Sequence, residues 1–181
     1  MESGKTKWPV GLFNKQLTQI IKKINQMQLT VGSKLPEFKM FDSDKQEITN
    51  ETISGKATLF LFFPAAFTGV CTKELCSVRD DIARYKNASV NVIGVSTDTL
   101  FTLAKYKEEQ GLNFTLASDY NKTVCASFGS QYDDFVLGMK GTARRSAFLA
   151  DKDGIIQYAE VLESAGDIPN FEAIAKVIES L

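Results

Sequence analysis

Histidine is absent from all 181 residues. That removes every mechanism resting on an imidazole base, Cys-His proteases among them, and most catalytic zinc sites. Cysteine is scarce, at three residues, which is no disulfide framework for a chain of this size. Any disulfide is therefore read as transient and catalytic. No stretch approaches the roughly 18 apolar residues of a membrane span. Neither sign of charge dominates: 21 basic and 22 acidic residues leave a net charge of −1. No overall basic field exists for nucleic acid or anionic lipid, so neither nucleic acid nor membrane is an expected partner. The opening "MESGKTKWPVGLF" lacks the apolar run and small-residue cleavage site of a secretory signal. Glu2 and the lack of an early arginine argue equally against a transit peptide. The expected compartment is the cytosol, where the Asn-x-Ser/Thr matches at Asn50, Asn87, Asn113 and Asn121 carry no meaning. There is no internal repeat and no low-complexity linker.

What is present is a 44% hydrophobic composition, enough for one domain with its own core. Residues 1–30 read as an N-terminal extension with an amphipathic helix. Phe13, Leu17, Ile20, Ile21, Ile24 and Met27 recur at helical spacing over residues 12–28, with Lys15, Lys22 and Lys23 opposite. That stripe fits docking on the body or on a dimer partner better than a membrane surface. From "VGSKLPEF" a single main domain over residues 31–181 is expected. "KMFDSDKQEIT" suggests short strands and a turn, and "ATLFLFF" a central strand covered on both faces. "CTKELCSVRDDIARYK" reads as a helix with Cys71, Leu75, Val78 and Ile82 on one stripe. "VNVIGVS" and "NFTLAS" read as strands around the helix "LFTLAKYKEEQ", which Gly111 ends. A short helix near residues 121–128, a hairpin "RRSAFLAD-KDG-IIQYAEV" and the helix "NFEAIAKVIESL" complete the chain. Parallel βαβ elements followed by a hairpin and a helix make an α/β domain in thioredoxin-like order, a mixed central sheet flanked by helices.

The chemistry concentrates at Cys71. An apolar strand ends at Phe63, Pro64 stops it, and "AAFTGV" leads to a helix N-terminus. A thiol there meets unpaired backbone N–H groups and the positive end of the helix dipole. Both favour thiolate, so its pKa is expected to fall below the free value of about 8.5. Thr68 is expected beside the sulfur, sharing a hydroxyl hydrogen bond. Gly69 is expected to let backbone approach closely, and Pro64 to wall off water. A nucleophile without histidine needs another positive group. Arg144 and Arg145 open the strand "RRSAFLAD", and strand alternation sends only one of them into any given site.

These residues resemble the peroxiredoxin family. "FFPAAFTGVC" fills its pattern Pro-x-x-x-Thr-x-x-Cys with Pro64, Thr68 and Cys71, and Glu74 matches the glutamate common in the family. The family's arginine precedes an aromatic by three residues, which selects Arg145 ahead of Phe148. The resemblance runs through "VIGVSTD", "LNFTLASD" and "FLADKDGII". It implies reduction of hydrogen peroxide and organic hydroperoxides by thiol, with no metal, haem or flavin cofactor. Cys71 would attack the peroxide and become sulfenic acid. Arg145, Thr68 and the backbone N–H groups of Val70 and Cys71 would stabilise the departing oxygen. A thioredoxin-like or low-molecular-weight thiol would be the reductant, and a homodimer is open.

A sulfenic acid needs a thiol to resolve it. Cys76 lies off the apolar stripe, beside Arg79 and Asp80, which weakens a core-filling role. Helix geometry nevertheless separates the Cα atoms of residues 71 and 76 by roughly 8–9 Å, beyond the ~7 Å a disulfide spans. The spacing resembles that of peroxiredoxins akin to the bacterioferritin comigratory protein, which implies resolution by Cys76 after local unfolding. Cys125, between Val124 and Phe128, reads as a structural residue, with resolution of Cys71 as its alternative. A one-cysteine cycle served by an external thiol also remains open. So do a peroxide-sensing thiol protein and, more weakly, a disulfide oxidoreductase. "LGMKGT" lacks the order of a phosphate loop, and "DKDG" lacks the later ligands of a calcium loop.

Overall fold

The computed structural model describes residues 29–181, so the helix expected over residues 12–28 lies outside the described residues. Strands β1 (Lys39–Asp42) and β2 (Glu47–Thr49) pair antiparallel, with Met40 opposite Ile48. A one-turn helix α1 (Asn50–Ile53) follows, its first turn closed by reciprocal Thr49 and Thr52 bonds. Then come β3 (Thr58–Phe62), α2 (Gly69–Asp80), α3 (Ile82–Asn87), β4 (Asn91–Ser96), α4 (Leu100–Gln110) and β5 (Thr115–Ser118). A short α5 (Thr123–Ser127), the hairpin β6 (Ser146–Ala150) and β7 (Ile156–Val161), and α6 (Phe171–Ile178) complete the order.

The seven strands form one sheet in the order β2-β1-β5-β4-β3-β6-β7. β3, β4 and β5 run parallel, and the remaining pairs are antiparallel. Every residue of β3 is buried, as a strand with helices on both faces must be. Its alternation divides the interior into two cores. Leu59, Leu61 and Phe63 pack on one face with Cys71, Leu75 and Val78 of α2 and Tyr106 of α4. Phe60 and Phe62 pack on the other with Phe38, Phe128, Phe148 and Cys125. Phe128 touches both β3 phenylalanines, with ring centroids 5.4 and 5.1 Å away. Each such buried ring contributes roughly 1.5–3 kcal/mol of transfer free energy. Gly94 in β4 sits in tight packing, where a Cβ would stand 2.7 Å from a Leu116 methyl and force that side chain to shift.

The expected elements are present among the described residues, with two shifts around the site. The helix carrying Cys71 begins at Gly69 rather than at the cysteine, so Cys71 is its third residue. It also stops at Asp80. Asp81 leaves the helical region at φ −102°, ψ 16°, and a second short helix starts at Ile82. Two consecutive aspartates are poor helix-interior residues, and the break still brings Tyr85 into the core. The "DKDG" segment is the β6–β7 turn, where Asp151 Oδ1 accepts from the N–H groups of Asp153 and Ile155.

Candidate active site

The parallel strands aim their carboxyl ends at one edge of the sheet, where open α/β folds build their sites. β3 delivers Pro64, buried, into the turn before α2. Side chains from the segment after β4 and from α4 fix that turn. The Ala66 N–H donates to Asp98 Oδ2 at 2.7 Å, and Ser96 Oγ donates to the same oxygen at 2.8 Å. Phe67 adopts a left-handed φ of +63° although it carries an aromatic side chain. Such a conformation costs on the order of 1–3 kcal/mol. It is offset by the Phe67 ring packing edge-on against Tyr106, centroids 5.0 Å apart. Tyr106 in turn donates to Thr72 Oγ1 at 3.0 Å, holding the first turn of α2 to α4.

On this support Cys71 is only 1% exposed. The ladder of α2 begins with the Thr72 N–H on the Thr68 carbonyl. The N–H groups of Gly69, Val70 and Cys71 therefore precede the ladder and face the turn. Arg145, also 1% exposed, donates from Nη2 to Cys71 Sγ at 3.2 Å. Its Nη1 pairs with Glu74 Oε2, and its Nε and Nη2 both donate to the Ala165 carbonyl, at 3.2 and 2.9 Å. One guanidinium thus ties α2, the entry to β6 and the segment after β7 together. A thiolate accepts such a donor better than a thiol does.

Glu74 is fully buried, and its second oxygen, Oε1, has no hydrogen-bond partner. Burial pushes its carboxyl from the ordinary 4.5 up to about 7, against the charge and hydrogen bond of Arg145. Burial by itself would lower the Arg145 pKa, but Glu74 and Cys71 more than offset it, so the guanidinium stays charged. The buried cluster therefore holds one fixed positive charge and two groups able to take a negative one.

Arg144 turns away from this cluster, as strand alternation requires. Its Nε donates to the Leu162 carbonyl at 2.8 Å and its guanidinium lies 5.7 Å from the Tyr132 ring centre. Two expectations about the turn need correction. The Thr68 hydroxyl donates to the Ala65 carbonyl at 2.9 Å, so its proton is spent on closing the turn and not on the sulfur. A Cβ at Gly69 would meet nothing within 4 Å, so Gly69 leaves open space and makes no close backbone approach.

All three cysteines are free. Cys76 is half-buried on the same helix as Cys71, with Sγ 3.9 Å from Gln110 Oε1. Cys125 lies in the other core, on the opposite face of the sheet from Cys71. Burial, with Asp119 beside it, pushes the Cys125 thiol far up, which keeps it protonated and inert. Sequence reasoning missed Asp98, Tyr106 and the Ala165 carbonyl. An aspartate just past the end of a parallel strand is a signal for the first. A backbone carbonyl offers none.

The sequence pattern of the AhpC/TSA family matches residues 31–159, more than two thirds of the chain. The chain belongs to the AhpC/TSA family. Peroxiredoxin Bcp of Escherichia coli K12 is 35% identical to it over 131 residues, covering 72% of this chain and 84% of that relative. Peroxidoxin BcpB from Mycobacterium tuberculosis has the same fold at a TM-score of 0.75 and 24% identity, covering 85% of this chain and 99% of its own. A peroxiredoxin-like protein from Aquifex aeolicus matches at 0.76 and 25% identity, covering 84% and 88%. The thioredoxin-like architecture expected from the element order is thus the family's own. The AhpC/TSA match takes in Cys71, Glu74 and Arg145 but ends within β7, before Ala165.

Proposed function

We propose that Cys71 is the nucleophile with which this thiol-dependent peroxidase reduces hydroperoxides. The observation that carries the assignment is the Arg145 guanidinium donating to a cysteine sulfur at a helix N-terminus. The Cys71 thiolate attacks one peroxide oxygen. An S–O bond forms, the O–O bond breaks, and the second oxygen leaves with the electron pair and takes a proton from water. Sulfur is oxidised to sulfenic acid and the hydroperoxide is reduced to alcohol or water. Donors already in place at the departing oxygen lower the barrier without reorganising. In this reading those donors are the N–H groups of Val70 and Cys71 and the Arg145 guanidinium. Thr68 and Pro64 shape the turn, and Glu74 holds Arg145.

Resolution by Cys76 forms the Cys71–Cys76 disulfide with loss of water, and a thioredoxin-like or small thiol donor then supplies the two electrons that reopen it. An external thiol attacking the sulfenic acid directly is the second reading. It is favoured by Cys76 standing five positions along an intact helix. Either cycle suits the cytosol, with residues 31–181 as the working domain, residues 1–30 as an extension, and the chain acting alone or as a homodimer.

The test is Cys71→Ser. It should abolish peroxide turnover while leaving the circular dichroism of the native fold, and retained turnover would remove the assignment.

A further inference from the structure

The charges around Cys71 do not match in number. One cation, Arg145, faces two groups, Cys71 and Glu74, that can each become an anion. All three are at most 1% exposed, so water screens none of them. The guanidinium reaches the sulfur from Nη2 at 3.2 Å and the carboxyl from Nη1. The other titratable groups packed here add no charge. Tyr106 of α4 donates to Thr72, and burial pushes its pKa up to about 12. Burial raises Tyr132 as well, so both phenols keep their protons at neutral pH. Arg144 points elsewhere, to the Leu162 carbonyl.

Two anions on one cation would leave a buried negative charge without a partner. Groups coupled this closely do not both ionise, and the proton that stays belongs to the pair. The attacking form of Cys71 is the thiolate, so in the reduced protein that proton falls to Glu74. The carboxyl suits the role. Its Oε2 takes Arg145, but its Oε1 is buried with no hydrogen-bond partner. Such an orphaned oxygen is costlier charged than neutral. Burial works in the same direction and keeps the proton on Glu74 up to about pH 7.

Oxidation reverses the count. A sulfenic acid is neutral, so the sulfur no longer answers Arg145. With Glu74 still protonated, the guanidinium would be buried without any anion, which is strongly unfavourable.

We propose that Cys71 and Glu74 hold one negative charge between them across Arg145, and that oxidation of the sulfur moves this charge to Glu74. The proposal rests on the reading of Cys71 as the attacking thiol. The S–O bond forms, the O–O bond breaks, and the departing oxygen takes a proton from water. The proton released by Glu74 neutralises the hydroxide left behind. Thiolate, carboxylic acid and hydroperoxide thus become sulfenic acid, carboxylate and alcohol or water, with no net proton drawn from solvent. Glu74 is a positioning residue in this scheme: it keeps Arg145 paired in both redox states.

The experiment is infrared difference spectroscopy of the full chain carrying Cys76→Ser, which holds the sulfenic acid. Hydrogen peroxide is added in equal amount to protein, without thiol, below the Glu74 value of about 7. The expected result is loss of the carbonyl stretch of one protonated carboxyl per chain, with growth of carboxylate bands. Heavy-carbon glutamate should shift the lost band, and Glu74→Gln should remove it. Cys71→Ser, neutral at this position, should lack the band before any peroxide is added. No band change while dimedone labels Cys71 overturns the proposal and leaves the Cys71 assignment standing. A lost band that labelled glutamate does not shift comes from another carboxyl and overturns it too, whether or not Glu74→Gln folds. Absence of dimedone label at Cys71 overturns both readings.

Discussion

Arg145 holds Cys71 and Glu74 at once: one guanidinium nitrogen donates to the sulfur at 3.2 Å while the other pairs with the carboxylate. Both acidic partners lie on one helix, and the cation comes from the residue just before β6, 71 positions on from Glu74. Replacing Arg145 by Met should lower kcat/KM at least a hundredfold, the scale for losing a donor to developing charge. It should also cost about 3 kcal/mol of stability, because Glu74 is left buried without its partner. Adding Glu74→Gln should restore most of that stability and none of the rate. If steady-state kinetics showed the rate returning with the stability, the arginine would be only a structural tie.

Glu74 makes stability depend on pH in an unusual direction for a carboxylate. The folded chain keeps its proton up to about pH 7, whereas the ordinary value is 4.5. Folding therefore takes up a proton in this window, and stability falls as pH rises from about 4.5 to 7, then levels off. At 1.36 kcal/mol per pKa unit the loss is about 3 kcal/mol. Urea midpoints at pH 5 and pH 8 check this by comparing the wild type with Glu74→Gln. The variant should lack the decline, and an identical decline in both would place its source elsewhere.

If Cys76 resolves the sulfenic acid, α2 must open, since the intact helix keeps the two Cα atoms roughly 8–9 Å apart. Peptide mapping of peroxide-treated protein should recover a bridge between Cys71 and Cys76. The same sample should lose about two turns of helical circular dichroism. In Cys76→Ser, dimedone should trap the sulfenic acid at Cys71. Absence of the bridge would leave resolution to an external thiol.

Cys125 belongs to the second core and faces away from Cys71. Cys125→Ala should leave peroxide turnover within about twofold while costing about 1–2 kcal/mol by loss of packing. A large drop in turnover at unchanged stability would return Cys125 to the reaction.

The local parts of this site were legible from residues close together in sequence. The apolar run ending at Pro64, with a helical stripe beginning at Cys71, dictates a strand, a turn and a helix N-terminus. Alternation along "RRSAFLAD" separates Arg145 from Arg144. Glu74 could be named only as a matching residue. Its burial and its bond to Arg145 depend on β6 lying beside β3, a long-range pairing that periodicity does not encode. Thr68 was misjudged for a related reason: a hydroxyl chooses between nearby acceptors, and the tight turn at Ala65 offers the nearer one. The break at Asp81 escaped because the apolar stripe runs on to Ile82 and hides a change of backbone direction.

That break sits just beyond the last turn of α2. Arg79 is clasped there from the neighbouring element, donating to the Gln110 carbonyl at 2.6 Å and accepting from Asn113 at 3.2 Å on its own carbonyl. Asp81 then restarts the chain into α3, which anchors Tyr85 separately. Clasp and restart act together as a firebreak. Disorder that begins at Cys71 and consumes the residues up to Cys76 has no continuous helix along which to spread into the scaffold. If Cys76 resolves the sulfenic acid, the enzyme can dismantle its reactive end each cycle while the sheet beneath it stays intact.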